Sequence, residues 1–178
     1  MMNKIQNKGF KRSDTPTPDK LCEFIFNLLK DENIHTILDP ACGDCRLTSR
    51  FNCNKINYDI KLDQDFLEET KPIDCDLVII NPPFNKTTTE KKHRFMPEVF
   101  LDKIVELVPK SAGIMMITPM GFRLNQTSRS KRIKKIKNKY PQITSIITLP
   151  IDCFENTMFH TEILCFNLPW LKPHYVYP

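Results

Sequence analysis

Asp76-Leu77-Val78-Ile79-Ile80-Asn81-Pro82-Pro83-Phe84 is an apolar run that stops abruptly at an amide, two prolines and an aromatic ring. Leu, Val and Ile without polar alternation predict a strand covered on both faces, as in a parallel sheet. Proline cannot donate to a ladder, so the strand ends at Asn81 and a loop begins. The same pattern occurs twice upstream: Thr36-Ile37-Leu38 runs into Asp39-Pro40, and Ile56-Asn57-Tyr58 runs into Asp59. Three short strands that each end in a polar group predict a shared crevice at their carboxyl ends.

Helical spacing fills the segments around these strands. Thr17-Pro18 reads as an N-cap followed by proline in the first turn, and Leu21, Phe24, Ile25, Leu28 and Leu29 then recur on one face. Phe95 to Val108 carries apolar residues at helical spacing, and Arg129 to Tyr140 is basic and helical. Gly113 to Thr118, Ile143 to Leu149 and Thr161 to Leu168 read as further strands. Strands alternating with helices imply right-handed crossovers and an α/β fold of Rossmann type, mostly parallel, with helices on both faces.

With 178 residues the chain suits one core. The expected divisions are a flexible basic arm over 1–13 with Lys4, Lys8, Lys11 and Arg12, a catalytic domain over 14–169, and a tail over 170–178. That tail, with Trp170, Tyr175 and Tyr177, is too rich in proline for a helix and is expected either to pack across the core or to dock on a partner. Hydrophobic residues at 40% and charged residues at 26% exclude a disordered chain. No apolar run reaches the roughly 20 residues of a membrane span, and the amino-terminal stretch lacks a signal peptide's apolar segment, so a cytoplasmic location of bacterial, phage or viral type is expected. Seven cysteines, an odd number, read as reduced thiols. The pair Cys42 and Cys45 has no second pair at zinc-like spacing, and His35, His93, His160 and His174 are far apart, so no metal is expected.

The strand ends suggest chemistry. In Asp39-Pro40-Ala41-Cys42-Gly43-Asp44-Cys45, a tight turn with glycine lets backbone amides approach a charged ligand, and Asp39 or Asp44 can accept from an ammonium; the same letters also suit a plain connecting turn. Asp59 suits the hydroxyls of a ribose. In Asn81 to Phe84, two prolines fix the backbone so that the Asn81 side-chain oxygen and the Pro82 carbonyl can accept both N–H groups of a planar amine while Phe84 stacks on its ring. The net charge of +5 permits a phosphate-bearing partner. Its densest part runs from Arg123 to Lys139, where Lys131, Arg132, Lys134 and Lys135 are candidates for a nucleic-acid backbone, a solvated helix face being the alternative. Lys86 to Arg94 reads as a loop over the substrate.

From Thr17 to Leu168 the sequence resembles the S-adenosylmethionine-dependent amino-methyltransferases, especially the adenine-N6 DNA enzymes in which the cofactor motif precedes the catalytic one. The resemblance implies that Asp39, Ala41 and Gly43 belong to the cofactor loop, that Asp59 is the ribose-binding acid, and that Asp65 and Phe66 contact the cofactor's adenine. It makes Asn81, Pro82, Pro83 and Phe84 the catalytic loop, places Thr17 in the segment that folds over the methionine end of the cofactor, and sets Phe154 against an extruded base. Leu149 to Phe166 also looks like the modification subunits of restriction systems. Cys45 stands where the family usually has glycine, and only Lys61 to Gln64 separates the second strand end from Asp65, so the helix and strand that usually intervene are expected to be curtailed. The activity implied is methyl transfer to the N6 amine of adenine in DNA, with S-adenosylmethionine as cofactor and, in the absence of a separate target-recognition domain, a protein partner to supply sequence specificity. RNA adenine or a protein glutamine amide are the alternative acceptors, and a non-catalytic subunit is the alternative of another class.

Overall fold

A computed structural model describes residues 15–87, 93–124, 126–155 and 160–178. The basic arm expected over 1–13 and the middle of the loop expected from Lys86 to Arg94 lie outside the described residues.

The described residues form nine strands: β1 (Thr36–Asp39), β2 (Asn54–Asn57), β3 (Leu77–Ile80), β4 (Asn85–Thr87), β5 (His93–Phe95), β6 (Gly113–Pro119), β7 (Ile143–Thr148), β8 (Thr161–Phe166) and β9 (His174–Val176). Seven of them build one sheet in the order β2-β1-β3-β6-β8-β7-β9, and β4 and β5 form a separate hairpin. Neighbours from β2 through β6 are parallel. β8 runs against both β6 and β7, and β9 is again parallel to β7. The unbroken Leu-Val-Ile-Ile run is β3, buried at every position between β1 and β6, as its lack of polar alternation requires.

Side chains alternate between the two faces along β1, β3, β6 and β8. Ile37, Leu77, Ile79, Met115, Ile117 and Ile163 face α1 (Asp19–Leu29), which packs Leu21, Ile25 and Leu29 on them. Leu38, Val78, Ile80, Ile114, Met116 and Leu164 face α2 (Met96–Leu107), which supplies Phe100, Leu101 and Ile104. The third helix, α3 (Lys131–Asn138), has no fully buried residue and is fastened to α2 by charge. Glu98 accepts from Arg132 Nε at 2.8 Å and Lys135 Nζ at 2.9 Å, and Asp102 accepts from Lys139 Nζ at 2.7 Å. The Arg132 guanidinium also lies 4.4 Å from the centre of the Phe95 ring.

Two expectations need correction. α1 starts at Asp19, not at Thr17: Pro18 is the cap residue, and its carbonyl accepts from Leu21 and Cys22 without any side-chain cap. α3 starts two residues later than Arg129, because the Ser130 hydroxyl accepts from Ile133 N–H at 3.1 Å and sets the first turn. Residues 170–178 pack across the core, one of the two outcomes expected of them: β9 extends the sheet and Leu171 is buried. Between β2 and β3 the chain makes two short 3-10 turns, Ile60–Leu62 and Phe66–Glu68, and among the described residues β2 has no neighbour on its outer edge. This is the curtailed connection foreseen from the spacing.

Candidate active site

The ends of β1 and β2 are stapled together before any ligand is considered. Tyr58 N–H donates to the Asp39 carbonyl at 2.9 Å, and Cys42 N–H donates to the Tyr58 carbonyl at 2.9 Å. Gly43, at φ +56, donates its N–H to Asp59 Oδ2 at 2.9 Å, and Asp59 Oδ1 accepts from Lys61 N–H at 2.8 Å. Beyond its chain neighbours, no atom of the described residues lies within 4 Å of the place a Cβ on Gly43 would take, so the turn has an open side. The two acids expected to share a ligand therefore flank one glycine turn.

Asp39 is 1% exposed. Its Oδ1 accepts from Ala41 N–H at 3.2 Å, whereas Oδ2 is buried and has no partner among the described residues. Burial pushes this carboxyl up to about 7, against the opposing Ala41 hydrogen bond and with help from the Asp59 charge. A buried acceptor left open beside a glycine turn is incomplete by itself and complete when a cation arrives.

Cys45 adopts φ 61, a left-handed conformation that glycine reaches without strain and cysteine does not. Its N–H closes the turn onto the Cys42 carbonyl at 2.7 Å, and its sulfur accepts from Asn57 Nδ2 at 3.6 Å. The side chain thus folds back toward β2. Cys45→Gly should unfold within about 1 kcal/mol of the parent in urea, because relief of strain offsets the freedom gained by the unfolded chain. Cys45→Val, β-branched at the same φ, should lose on the order of 1–3 kcal/mol.

Asn81 leaves β3 and turns its carboxamide toward α1. Nδ2 donates to Thr17 Oγ1 at 3.1 Å and to the Thr15 carbonyl at 3.4 Å. Pro82 is buried, Pro83 and Phe84 are half-buried, and Phe84 packs against the cluster beneath α1. The Phe84 carbonyl accepts from Met96 N–H at 3.1 Å, tying the loop's far end to α2. Asp39 therefore ends β1, and Asp59 and Asn81 follow its parallel neighbours, β2 and β3.

Other candidates sit differently. Asp65 accepts from Leu67 N–H at 2.9 Å and caps a short turn. Phe66 is 1% exposed, set edge to face with Tyr58 at 5.4 Å and stacked on Phe100 at 6.2 Å. With no helix between β2 and β3 to cover that face, Phe66 itself plugs it, and its ring offers no free surface for an adenine. Phe154 is likewise buried, in the cluster beneath α1. Of the four basic candidates, Arg132 and Lys135 are spent on Glu98, while Lys131 and Lys134 are exposed. A groove lined by Lys55, Asn57, Gln64, Asp65 and Glu68 follows the free edge of β2, two strands from Asn81, so it is not where the chemistry-bearing groups meet.

One surface was missed. Ile60 is 71% and Leu62 54% exposed, immediately after Asp59. Two apolar residues spaced by one in an otherwise charged stretch were the available signal. Among the described residues, no group of three or more His, Cys, Asp or Glu could hold a metal, and no helix is long and apolar enough to cross a membrane. The seven cysteines are free, and burial pushes Cys42 and Cys75 up to about 12.

The strand order, the reversed β8 and the helices on both faces define a Rossmann-like methyltransferase fold. The chain is similar to a proposed class I S-adenosylmethionine-dependent methyltransferase from Listeria monocytogenes, with a TM-score of 0.66 and 19% identity over 95% of this chain and 67% of that one. It is also similar to the type I restriction-modification methyltransferase subunit from Streptococcus thermophilus (TM-score 0.62, 16% identity, 88% of this chain, 45% of that one). The M protein of the type I restriction enzyme EcoKI gives a TM-score of 0.62 at 16% identity, over 89% of this chain and 44% of that one. The chain thus spans about two thirds of the first structure and less than half of each restriction subunit. No protein family and no curated protein matches the sequence itself.

Proposed function

We propose that this chain transfers a methyl group from S-adenosylmethionine to the exocyclic N6 amine of adenine in DNA. The observation that carries the reading is the Asn81 carboxamide: with Nδ2 occupied by Thr17 and Thr15, Oδ1 is the atom left to face an acceptor. Asn81 follows β3, the neighbour of the strand that ends at Asp39.

The residues fit the cofactor. The unpartnered Oδ2 of Asp39 suits its ammonium, the open side of Gly43 leaves room for its chain, Asp59 keeps lone pairs for ribose hydroxyls, and exposed Ile60 offers an apolar face to a purine in place of buried Phe66. The bound group supplies an electrophilic methyl on a sulfonium. Asn81 Oδ1 and the Pro82 carbonyl accept the two N–H groups of the target amine, which draws its lone pair out of the ring toward that methyl. The proton departs after transfer, so no strong base is required. Phe84 stacks on the ring. An adenine in a duplex must be flipped out, at a cost of a few kcal/mol.

Exposed Lys131, Lys134 and Lys137 favour a nucleic acid over a protein amide, and the likeness to restriction-modification subunits favours DNA and a protein partner that supplies sequence specificity. Calorimetric titration with S-adenosylmethionine tests the reading, followed by labelled methyl transfer to DNA, RNA and protein. Micromolar binding and label in DNA adenine are expected; label confined to RNA or protein would move the acceptor, and absence of binding would leave a non-catalytic subunit.

A further inference from the structure

Thr15-Pro16-Thr17-Pro18 is a short repeat immediately ahead of α1. Each proline fixes its own φ and holds the residue before it in an extended conformation, so Thr15 and Thr17 are both stiffened before any tertiary contact forms. Pro18 shows φ −58 and ψ 140. Such a segment presents its polar groups at defined places, and here two of them meet one amide: the Thr15 carbonyl and the Thr17 hydroxyl both accept from Asn81 Nδ2.

We propose that Thr17 is a positioning residue, which acts through Asn81: the Thr15 carbonyl decides which end of that carboxamide faces the acceptor amine, and the Thr17 hydroxyl holds the carboxamide in place. The inference rests on the methyltransferase reading above and extends it to a residue outside the catalytic loop. Its logic is a matter of donors and acceptors. The target amine has two N–H donors, so an amide turned end for end would oppose donor to donor. A hydroxyl alone does not prevent the flip, because it can donate as well as accept. A backbone carbonyl only accepts, so Thr15 excludes the flipped amide and the Thr17 hydroxyl takes the second proton. Thr17 is 5% exposed, and its hydroxyl is directed at Asn81 and does not cap α1. This separates the proposal from a direct grip on the cofactor.

Thr17→Val keeps the shape and removes the acceptor. In the full-length protein kcat for DNA methylation should fall about 10- to 100-fold, the scale of a misplaced reacting group, with the dissociation constant for S-adenosylmethionine within about twofold of the parent. Thr17→Ser should restore most of kcat. Turnover unchanged in Thr17→Val, or a loss confined to cofactor affinity, would overturn the proposal. A second readout does not depend on turnover. The Asn81 side-chain NH2, identified by its absence in Asn81→Ala, should exchange slowly in the ligand-free parent and in Thr17→Ser and rapidly in Thr17→Val; equal exchange in all three would also overturn it. A parent that methylates nothing yet shows this exchange pattern would sink the functional reading and leave the positioning of Asn81 intact.

Discussion

Asn81→Ala is expected to lower methyl transfer by several orders of magnitude while leaving cofactor affinity within a few-fold of the parent. Two facts set this split. The Asn81 side chain touches Thr15 and Thr17 rather than the Asp39–Gly43 turn, so its loss leaves the proposed cofactor pocket whole. Its oxygen is a pre-aimed acceptor at the amine that must change hybridisation, and such groups contribute more to the transition state than to the ground state. Single-turnover transfer measured beside calorimetry reads both quantities. Equal loss of binding and transfer would make Asn81 a structural residue and remove the basis of the assigned role.

Asp39→Asn should separate stability from function in the opposite direction. Because burial raises the Asp39 carboxyl to about 7, the folded protein holds a proton there that the unfolded chain releases near its ordinary carboxylate value. The group therefore favours folding most at low pH, and that contribution is lost as pH rises from about 4 to about 7. Above that range the ionised, unpartnered carboxylate costs the ligand-free protein on the order of 2–4 kcal/mol, a burden that asparagine does not carry. Asp39→Asn should accordingly melt higher than the parent at pH 8 and close to it near pH 4. The same change removes the charge proposed to meet the cofactor's ammonium and should weaken binding roughly 10- to 100-fold, the worth of a charge-assisted hydrogen bond. In the parent, binding should strengthen as pH rises through about 7 and should release a proton below it. A parent whose affinity is flat across that range would contradict the assignment.

How far the sequence was legible follows from what each residue answers to. β3 and its terminal tetrapeptide were read directly, because an apolar run followed by two prolines has few other outcomes, and the glycine turn between two acids was equally local. The burial of Phe66 was not legible, because it follows from the short connection between β2 and β3, and vacant core space is not visible in a chain's own letters. The basic helix was half legible: the charges were evident, but that Glu98 and Asp102 would claim Arg132, Lys135 and Lys139 depended on how α2 and α3 pack. β9 was hidden by the prolines around it, since only pairing with β7 makes three residues a strand. Thr17-Pro18 was read only as a helix start because the partner of Thr17, Asn81, lies more than sixty positions away.

The reversed strand has a consequence for the order of assembly. β8 lies between β6 and β7, although β7 precedes it in the chain. As the polypeptide emerges from the ribosome, β2, β1, β3 and β6 can pair while β7 has no place to dock until Thr161–Phe166 has been made. The edge of β6 stays open through that interval, with Ile114 to Ile117 as an apolar strand without a neighbour on that side. The proposed reacting loop is thus complete well before the sheet that supports it can close, and nascent chains halted near residue 160 are the species most prone to stick to one another or to be held by a chaperone.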